Sequence, residues 1–418
     1  MKTLLKMSFC LMAACCIVSC ADTDEKEDVG SPILIDFDNS YSINRCEILP
    51  ISPVISGDKD AEYKWTISTN PDSLIGDSKD LNFIALNAGS YEVSLTVTKP
   101  GRTESKTTTI TVKDAVYRSS IDTIMEYRPA PGPGMNEIVY DYDNEVMRGF
   151  SYLMSDVNTR CKESDMDLTL PLGCFGGYIV VGFDHTIVNV PGKIDIQVKA
   201  NGGDEYEAIG VVMVAYDKNK NGKPDDDEWY EIEGSEHGKA TTYNEYNITY
   251  HTPTYEIIES EDVEEDEEGY GELKEIIKWE DNRDKEGSIV TTLYTKNESH
   301  FPSWINNNMT FSGRLIHLPE DPAGLNWHGY AGISHMSFQG TSINFDSAID
   351  KSGNKVKIPG VDFIKIYVAT QRKVDDDSGY RQFVMDQIFD MHLTTSKEVE
   401  AKSKAQAVRK LQFQRSLR

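Results

Sequence analysis

The sequence predicts an all-β protein, an N-terminal immunoglobulin-like sandwich followed by a larger jelly-roll-type β-sandwich. Two observations carry that expectation. Apolar and polar residues alternate with period two in many short runs, as in Tyr91-Glu-Val93-Ser-Leu95-Thr-Val97, the pattern of a strand with one wet face. Helical spacing is absent from any stretch longer than about ten residues before the C-terminus. With 418 residues and about 150 residues to a domain, two or three domains are expected. The balance of 42 Lys and Arg against 69 Asp and Glu, net −27, excludes a basic face for nucleic acid.

Residues 1–19 read as an export signal. Lys2 and Lys6 precede the apolar stretch Met7–Val18, which is too short to span a bilayer as a helix. The end, Ile17-Val18-Ser19-Cys20, resembles the lipobox of bacterial lipoproteins, which implies cleavage before Cys20 and acylation of its thiol and new amine. An ordinary secretory signal with a coincidental Cys is the blander reading. Residues 20–30 carry Asp22, Asp24, Glu25, Glu27 and Asp28. This acidic run resembles the surface-export signal of Bacteroidetes lipoproteins, and it also suits a solvated tether. No later run of 18 apolar residues follows, so no membrane-spanning helix is expected. Of seven cysteines, four fall in the first 20 residues. Cys46, Cys161 and Cys174 remain, without metal or redox spacing. Cys161 and Cys174 could pair in an oxidising compartment, or all three could be buried thiols.

Residues 31–113 form the first β unit. Tyr63-Lys-Trp65-Thr-Ile67 supplies a strand with a Trp for a small core, and Tyr91–Lys99 turns at Pro100-Gly101 into Thr107–Val112. With Ala88-Gly89 ahead of Tyr91, these segments resemble the PKD family in its Bacteroidetes form, a module of spacers and adhesion units. Residues 115–136 are a connector stiffened by Pro129-Ala-Pro131-Gly-Pro133-Gly134. Residues 116–393 hold the jelly roll, with strands at Gly177–Phe183, Lys193–Val198, Ala208–Tyr216, Trp229–Glu233, Ser288–Leu293 and Asp362–Ala369. An acidic insertion, 259–272, places nine carboxylates in fourteen positions and reads as a solvated loop. Residues 394–418 are a basic tail, with a ragged amphipathic pattern at Val399, Ala401, Ala405, Val408 and Leu411.

Several segments occur in a fixed order: Tyr127–Gly132, Leu172–His185, Asp217–Tyr230, Phe301-Pro302-Ser-Trp304 and Gly360-Val-Asp362-Phe363. Together they resemble a family of Bacteroidetes cell-surface lipoproteins with an N-terminal PKD-like domain, often encoded near TonB-dependent outer-membrane transporters, some in cobalamin-uptake loci. The resemblance implies a lipid-anchored outer-membrane surface protein that captures a nutrient, a glycan or a corrinoid, for such a transporter. It implies no enzymatic activity. A structural or adhesion protein is the alternative, and a carbohydrate-active hydrolase a more distant one.

One constellation has metal-ligand spacing. Residues 217–228 place side-chain oxygens of Asp217, Asn219, Asn221, Asp225 and Glu228 at loop positions 1, 3, 5, 9 and 12. Gly222 takes the sharp turn, and the carbonyl of Lys223 completes the set. A hard cation wants six to eight oxygens, so calcium with a structural role is expected, in a hairpin loop between strands. In the resembled family the Glu position is the least regular, which makes Glu228 the weakest ligand. The alternative is an acidic Asn/Gly turn without metal. Candidate ligand-binding aromatics are Trp304, and Trp327, His328 and Tyr330 in Asn326-Trp-His-Gly-Tyr330; core packing is the competing role for such residues. His185 after Asp184 reads as a structural hydrogen-bonder. The sequence has no Gly-x-Ser-x-Gly, His-Glu-x-x-His, phosphate-binding Gly-Lys-Ser/Thr or dinucleotide fingerprint, so binding without catalysis is expected.

Overall fold

The computed structural model describes residues 32–68, 70–162, 168–201, 208–257, 273–293, 296–317, 327–332, 340–371 and 383–393. Cys20, the acidic tether, the insertion 259–272, Asn326 and the basic tail lie outside the described residues. Strands dominate, with a single α-helix among the described residues, so the molecule is all-β and of sandwich type. The chain forms two compact units. One holds the described residues of 1–39, 52–80 and 92–108; the other holds 40–51, 81–91 and 109 onward.

In the first unit the strand Glu62–Ile67 lies antiparallel to Gly89–Lys99, with Trp65 opposite Leu95. Alternation decides the faces. Val93, Leu95, Val97 and Trp65 are fully buried. Ser94 and Thr96 point outward and hydrogen-bond Thr107 (2.7 Å) and Ser105 (2.9 Å) on the return strand. The Trp65 indole donates to the carbonyl of Ser78 (3.0 Å), which satisfies its one polar atom.

The second unit contains two facing sheets. One has seven strands in the order Thr123–Arg128, Tyr178–Val188, Gly360–Val368, Gly210–Ala215, Trp229–Ile232 and Ala348–Ile349, with Tyr330–Ala331 also on Gly210–Ala215. The other runs Leu170–Gly173, Phe383–Asp390, Ile196–Asn201, Thr341–Ile343. From Leu170–Gly173 through Tyr178–Val188 and Ile196–Asn201 to Gly210–Ala215, successive strands cross from one sheet to the other in jelly-roll manner. Between them lie Ile179, Val181, Val212, Val214, Ile364 and Ile366 from the first sheet and Leu170, Ile196, Val198, Met385 and Ile388 from the second. A third sheet, with Leu273–Asp281, Thr242–Tyr250 and Met309–Ile316 among its five strands, packs Tyr246, Tyr250, Ile277, Ile289 and Phe311 around Phe175. Strands covered on both faces lose the alternation, which is why Tyr178–Val188 is nearly continuous in burial.

A glycine corner joins these layers. The chain leaves Leu170–Gly173 in one sheet and enters Tyr178–Val188 in another through Gly173, Gly176 and Gly177. A Cβ on Gly177 would lie 1.8 Å from the carbonyl oxygen of Leu172 and 2.5 Å from the nitrogen of Ala130. One on Gly173, at φ 75°, would lie 2.0 Å from the Ala130 oxygen. Backbone therefore packs on backbone, sealed by Ala130 N–H to Leu172 O (3.0 Å) and Cys174 N–H to Pro131 O (3.0 Å).

One expectation is corrected and one open question, that of the cysteines, is decided. The helix Phe150–Cys161 has twelve residues, and its signal is weak because only Leu153, Val157 and Cys161 are buried and no side chain caps its start. It covers the free edge of the strand Thr123–Arg128. The Asn158 amide accepts from Ile124 N–H (2.7 Å) and donates to Ile124 O (3.3 Å), standing in for a neighbouring strand. Cys161 and Cys174 do not pair: both are free and buried, each in a different core. Burial pushes the Cys161 thiol up to about 11 and Cys174 higher still, so neither is a reactive thiolate.

Replacing Gly177 by Ala is expected to destabilise the protein by about 3 kcal/mol or more, because a backbone atom cannot move aside cheaply. Denaturant unfolding measures it; an unchanged midpoint would contradict the close approach.

Candidate functional site

The connector that passes the glycine corner builds one wall of a groove of about 530 Å³. Met125, Glu126, Tyr127 and Arg128 of the edge strand, Phe150 and Met154 of the helix, and the segment Trp304–Met309 line it. Trp304 is half-buried and stacks on Phe150, with centroids 5.7 Å apart and planes at 23°. Tyr127 lies behind it at 6.4 Å. Asn306 and Asn307 are exposed on the rim and make no hydrogen bond among the described residues. Asn308 is held by Thr252 N–H (3.1 Å) and His251 Nδ1 (3.1 Å). Glu126 accepts from the Tyr178 hydroxyl, whose pKa burial and that carboxylate raise above its usual range. The Arg128 guanidinium sits over the Phe311 ring at 5.6 Å. Apolar ring surface beside free amides can take a ligand with both CH faces and hydroxyl groups.

The loop carrying Trp304 is fixed from below. Asn136, fully buried, donates through Nδ2 to the carbonyls of Ser299 (2.7 Å) and Phe301 (2.9 Å). Its Oδ1 accepts from Ser303 N–H (2.7 Å). Glu275, also fully buried, accepts from the Ser299 hydroxyl (2.5 Å) and from His300 N–H (2.8 Å). Gly132 N–H donates to the His300 carbonyl (2.8 Å). The same connector thus supplies a groove wall and the anchor for the opposite one. Burial raises the Glu275 pKa and pushes His300 down to about 4.

The other sequence candidates fall elsewhere. Trp327 and Tyr330 are buried in an apolar core with Ile209, Val211, Ile316 and Tyr367, so their rings are packing surface and not a ligand platform. The Tyr330 hydroxyl accepts from Glu236 N–H (3.0 Å) and pairs with His237 Nδ1 (2.9 Å). His328 is exposed beside them, away from the groove lining. Of the four aromatic-loop candidates, only Trp304 lines the groove. His185 is buried with both ring nitrogens engaged, Nδ1 with Asp184 (2.8 Å) and Nε2 with Asp390 (2.9 Å). Burial alone would lower its pKa; the two carboxylates outweigh it and the net shift is upward. Tyr117 stacks on it at 4.9 Å, a structural role.

The loop 217–228 closes on itself. Asp217 accepts from the N–H groups of Asn221 (3.0 Å) and Gly222 (2.7 Å). Asn219 Nδ2 (2.6 Å) and Asn221 Nδ2 (2.8 Å) both donate to Asp225 Oδ2. Glu228, buried, accepts from Lys218 N–H (2.7 Å) and Asp225 N–H (3.1 Å) and so ties the base of the loop. Lys220 and Gly222 take positive φ, 57° and 75°. No group of three or more His, Cys, Asp or Glu among the described residues is placed to hold a metal. The donor set still suits a hard cation, since Asp217, Asn219, Asn221 and Asp225 bring oxygens into one turn. The Asn219 and Asn221 amide oxygens now accept from Asn221 N–H (3.0 Å) and Lys223 N–H (2.8 Å), so aiming them at a cation beside Asp225 would mean turning both amides over and giving up these two bonds.

Phe150, Asn136 and Glu275 escape a reading of the sequence. Phe150 and Asn136 act on residues more than 150 positions away and Glu275 on residues 24 and 25 away, and no local pattern marks them; only Asn136 lies close after a stiff Pro/Gly run.

No family model matches the sequence, and no curated protein matches it. Among solved structures, a SusE-like protein is similar at 10% identity over 85% of this chain and 95% of its own, with a TM-score of 0.22. The SGBP-B protein of a Bacteroides ovatus mixed-linkage glucan utilization locus, solved with a mixed-linkage heptasaccharide, is similar at 10% identity over 81% and 99%, with a TM-score of 0.18. A quinonprotein alcohol dehydrogenase-like protein from Bacteroides thetaiotaomicron matches at 15% identity over 20% of this chain and 21% of its own, with a TM-score of 0.17. Scores this low align no common arrangement, so none of the three assigns a role to a residue here.

His300 makes the Trp304 loop sensitive to acid. Its folded pKa near 4 lies below the unfolded value of about 6.5, so its stability contribution is complete above the latter and is lost as pH falls toward 4. Glu275 acts in the opposite sense, because a raised carboxylate takes its proton first in the folded state. Comparison with His300→Gln isolates the His300 part. The wild type is expected to lose on the order of 3 kcal/mol relative to that variant across this range; parallel pH curves would contradict it.

Proposed function

We propose that this is a non-catalytic carbohydrate-binding protein, lipid-anchored through Cys20 at the outer membrane surface, whose groove at Trp304 holds the glycan. The observation that carries the reading is the stacked Trp304–Phe150 pair with the unpaired amides of Asn306 and Asn307 on its rim. Sugar rings present CH faces that pack on aromatic carbon and hydroxyls that pair with amides, and a volume of about 530 Å³ suits a short stretch of chain. Glu126 is the one carboxylate among the groove-lining residues, and it is engaged by Tyr178. Glycoside hydrolysis in its usual form needs two, flanking the bond, which favours capture over cleavage at the Trp304 groove. Delivery to a TonB-dependent transporter is the partner reading that goes with the lipoprotein resemblance.

Trp304→Ala is expected to weaken glycan binding at least about tenfold, near 1.4 kcal/mol, while leaving the far-ultraviolet spectrum unchanged. Isothermal titration across a panel of neutral glycans and cobalamin checks it. Undiminished binding by the variant, or binding of cobalamin in place of every glycan, would overturn the assignment.

Calcium would be held by Asp217, Asn219, Asn221, the Lys223 carbonyl and Asp225, with Glu228 tying the loop base or joining the ligands. Its role would be to neutralise an otherwise self-repelling acidic turn. Titrating calcium into chelator-stripped protein is expected to give a one-site heat and a higher Tm, both lost in Asp217→Ala. Absence of heat at millimolar calcium with an unmoved Tm would sink the site.

A further inference from the structure

Met125 lies at one end of the groove. That side chain also lines a second cavity, of about 600 Å³, farther along the same edge strand at Thr123. All of its lining residues belong to the second compact unit. Gly182 floors the junction. A Cβ there would lie 3.3 Å from Thr123 Cγ2, 3.5 Å from Met125 Sδ and 3.6 Å from the Phe363 ring, so a branched side chain at this position would crowd these neighbours. The walls beyond mix apolar side chains, Ile48, Tyr117, Phe183 and Phe363 among them, with His185 and several charged groups. Glu47, Asp184, Asp217 and Asp362 face a single ammonium, Lys220, which already donates to the Ile48 carbonyl (3.1 Å).

We infer that groove and cavity form one cleft, and that the ligand is a linear, uncharged glycan chain running from Trp304 past Met125 and over Gly182 into the second cavity. The inference rests on the carbohydrate reading of the groove and extends it in length and in charge. The carboxylates of Glu47 and Asp184 can accept hydrogen bonds, so the far cavity matches the hydroxyl donors of a neutral sugar. The same carboxylates repel the anion of a uronic acid. The bare Cα of Gly182 leaves the floor smooth where the chain must cross from one cavity to the other.

Chain length provides the test. Full-length protein in detergent is titrated with a neutral oligosaccharide series, from disaccharide to octasaccharide, built from whichever backbone binds. The long-to-short affinity ratio is expected to exceed about tenfold, one hydrogen-bonded sugar or two of added contact. Gly182→Val should bring that ratio near one, and Asn44→Trp, which narrows the cavity from an exposed position on its other wall, should do the same if the valine variant fails to fold. An acidic oligogalacturonide should gain nothing with length. A ratio near one in the wild type, or a ratio unmoved by both variants, would overturn the extended cleft while leaving the groove. Equal binding by Trp304→Ala at every length would overturn the groove reading itself, and absence of binding by every glycan would overturn both.

Discussion

Everything in the second unit depends on one backbone contact, the approach of Gly173 and Gly177 to Ala130 and Leu172. A side chain at either position would occupy the space of a peptide group. With glycine there, two peptide segments lie against each other and exchange hydrogen bonds, and the chain can turn from one sheet into the next without a gap. The same corner sets the height of the connector. From Ala130 the connector runs on to Gly132 and Asn136, and these two hold different parts of the loop before Trp304. Groove geometry is thus an indirect product of glycine packing, several residues away from any ring that lines it.

That arrangement places unusual polar groups in a dry interior. Asn136 uses both ends of its amide on three backbone groups, and Glu275 uses both oxygens on the adjoining residues. Buried polar groups that are satisfied in this way fix one conformation, because any other leaves several unpaired. A loop so held presents Trp304 in one pose, and a preorganised ring loses little entropy when a ligand stacks on it. The exposed asparagines lie outside this clamp and remain free for a ligand.

The fold was largely legible in the sequence. Alternation at Tyr91–Lys99 follows directly from one wet face, and the runs at Tyr178–Val188 and Gly360–Val368 follow from two dry ones. The helix Phe150–Cys161 was not, since three buried positions among Ser, Asp, Asn and Thr give little periodicity. Trp304 stood out as an aromatic in a Pro/Ser loop, but its partner Phe150 and its anchor Asn136, 163 residues from Ser299, could be found only in three dimensions. Trp327 and Tyr330 carried the same local signal as Trp304 and are core, because the short strand that bears Tyr330 pairs inside the sheet. Residue type marks what could face a ligand; burial separates Trp304 from Trp327 and Tyr330.

Hydrogen exchange on the full-length protein, with and without a saturating neutral glycan, tests the location of the site most directly. Ligand-induced protection is expected at Met125–Arg128, in the first turns of the helix Phe150–Cys161, and across Trp304–Met309. Protection centred on Trp327–Tyr330, with the Trp304 segment unchanged, would contradict the groove as the place where the ligand is held.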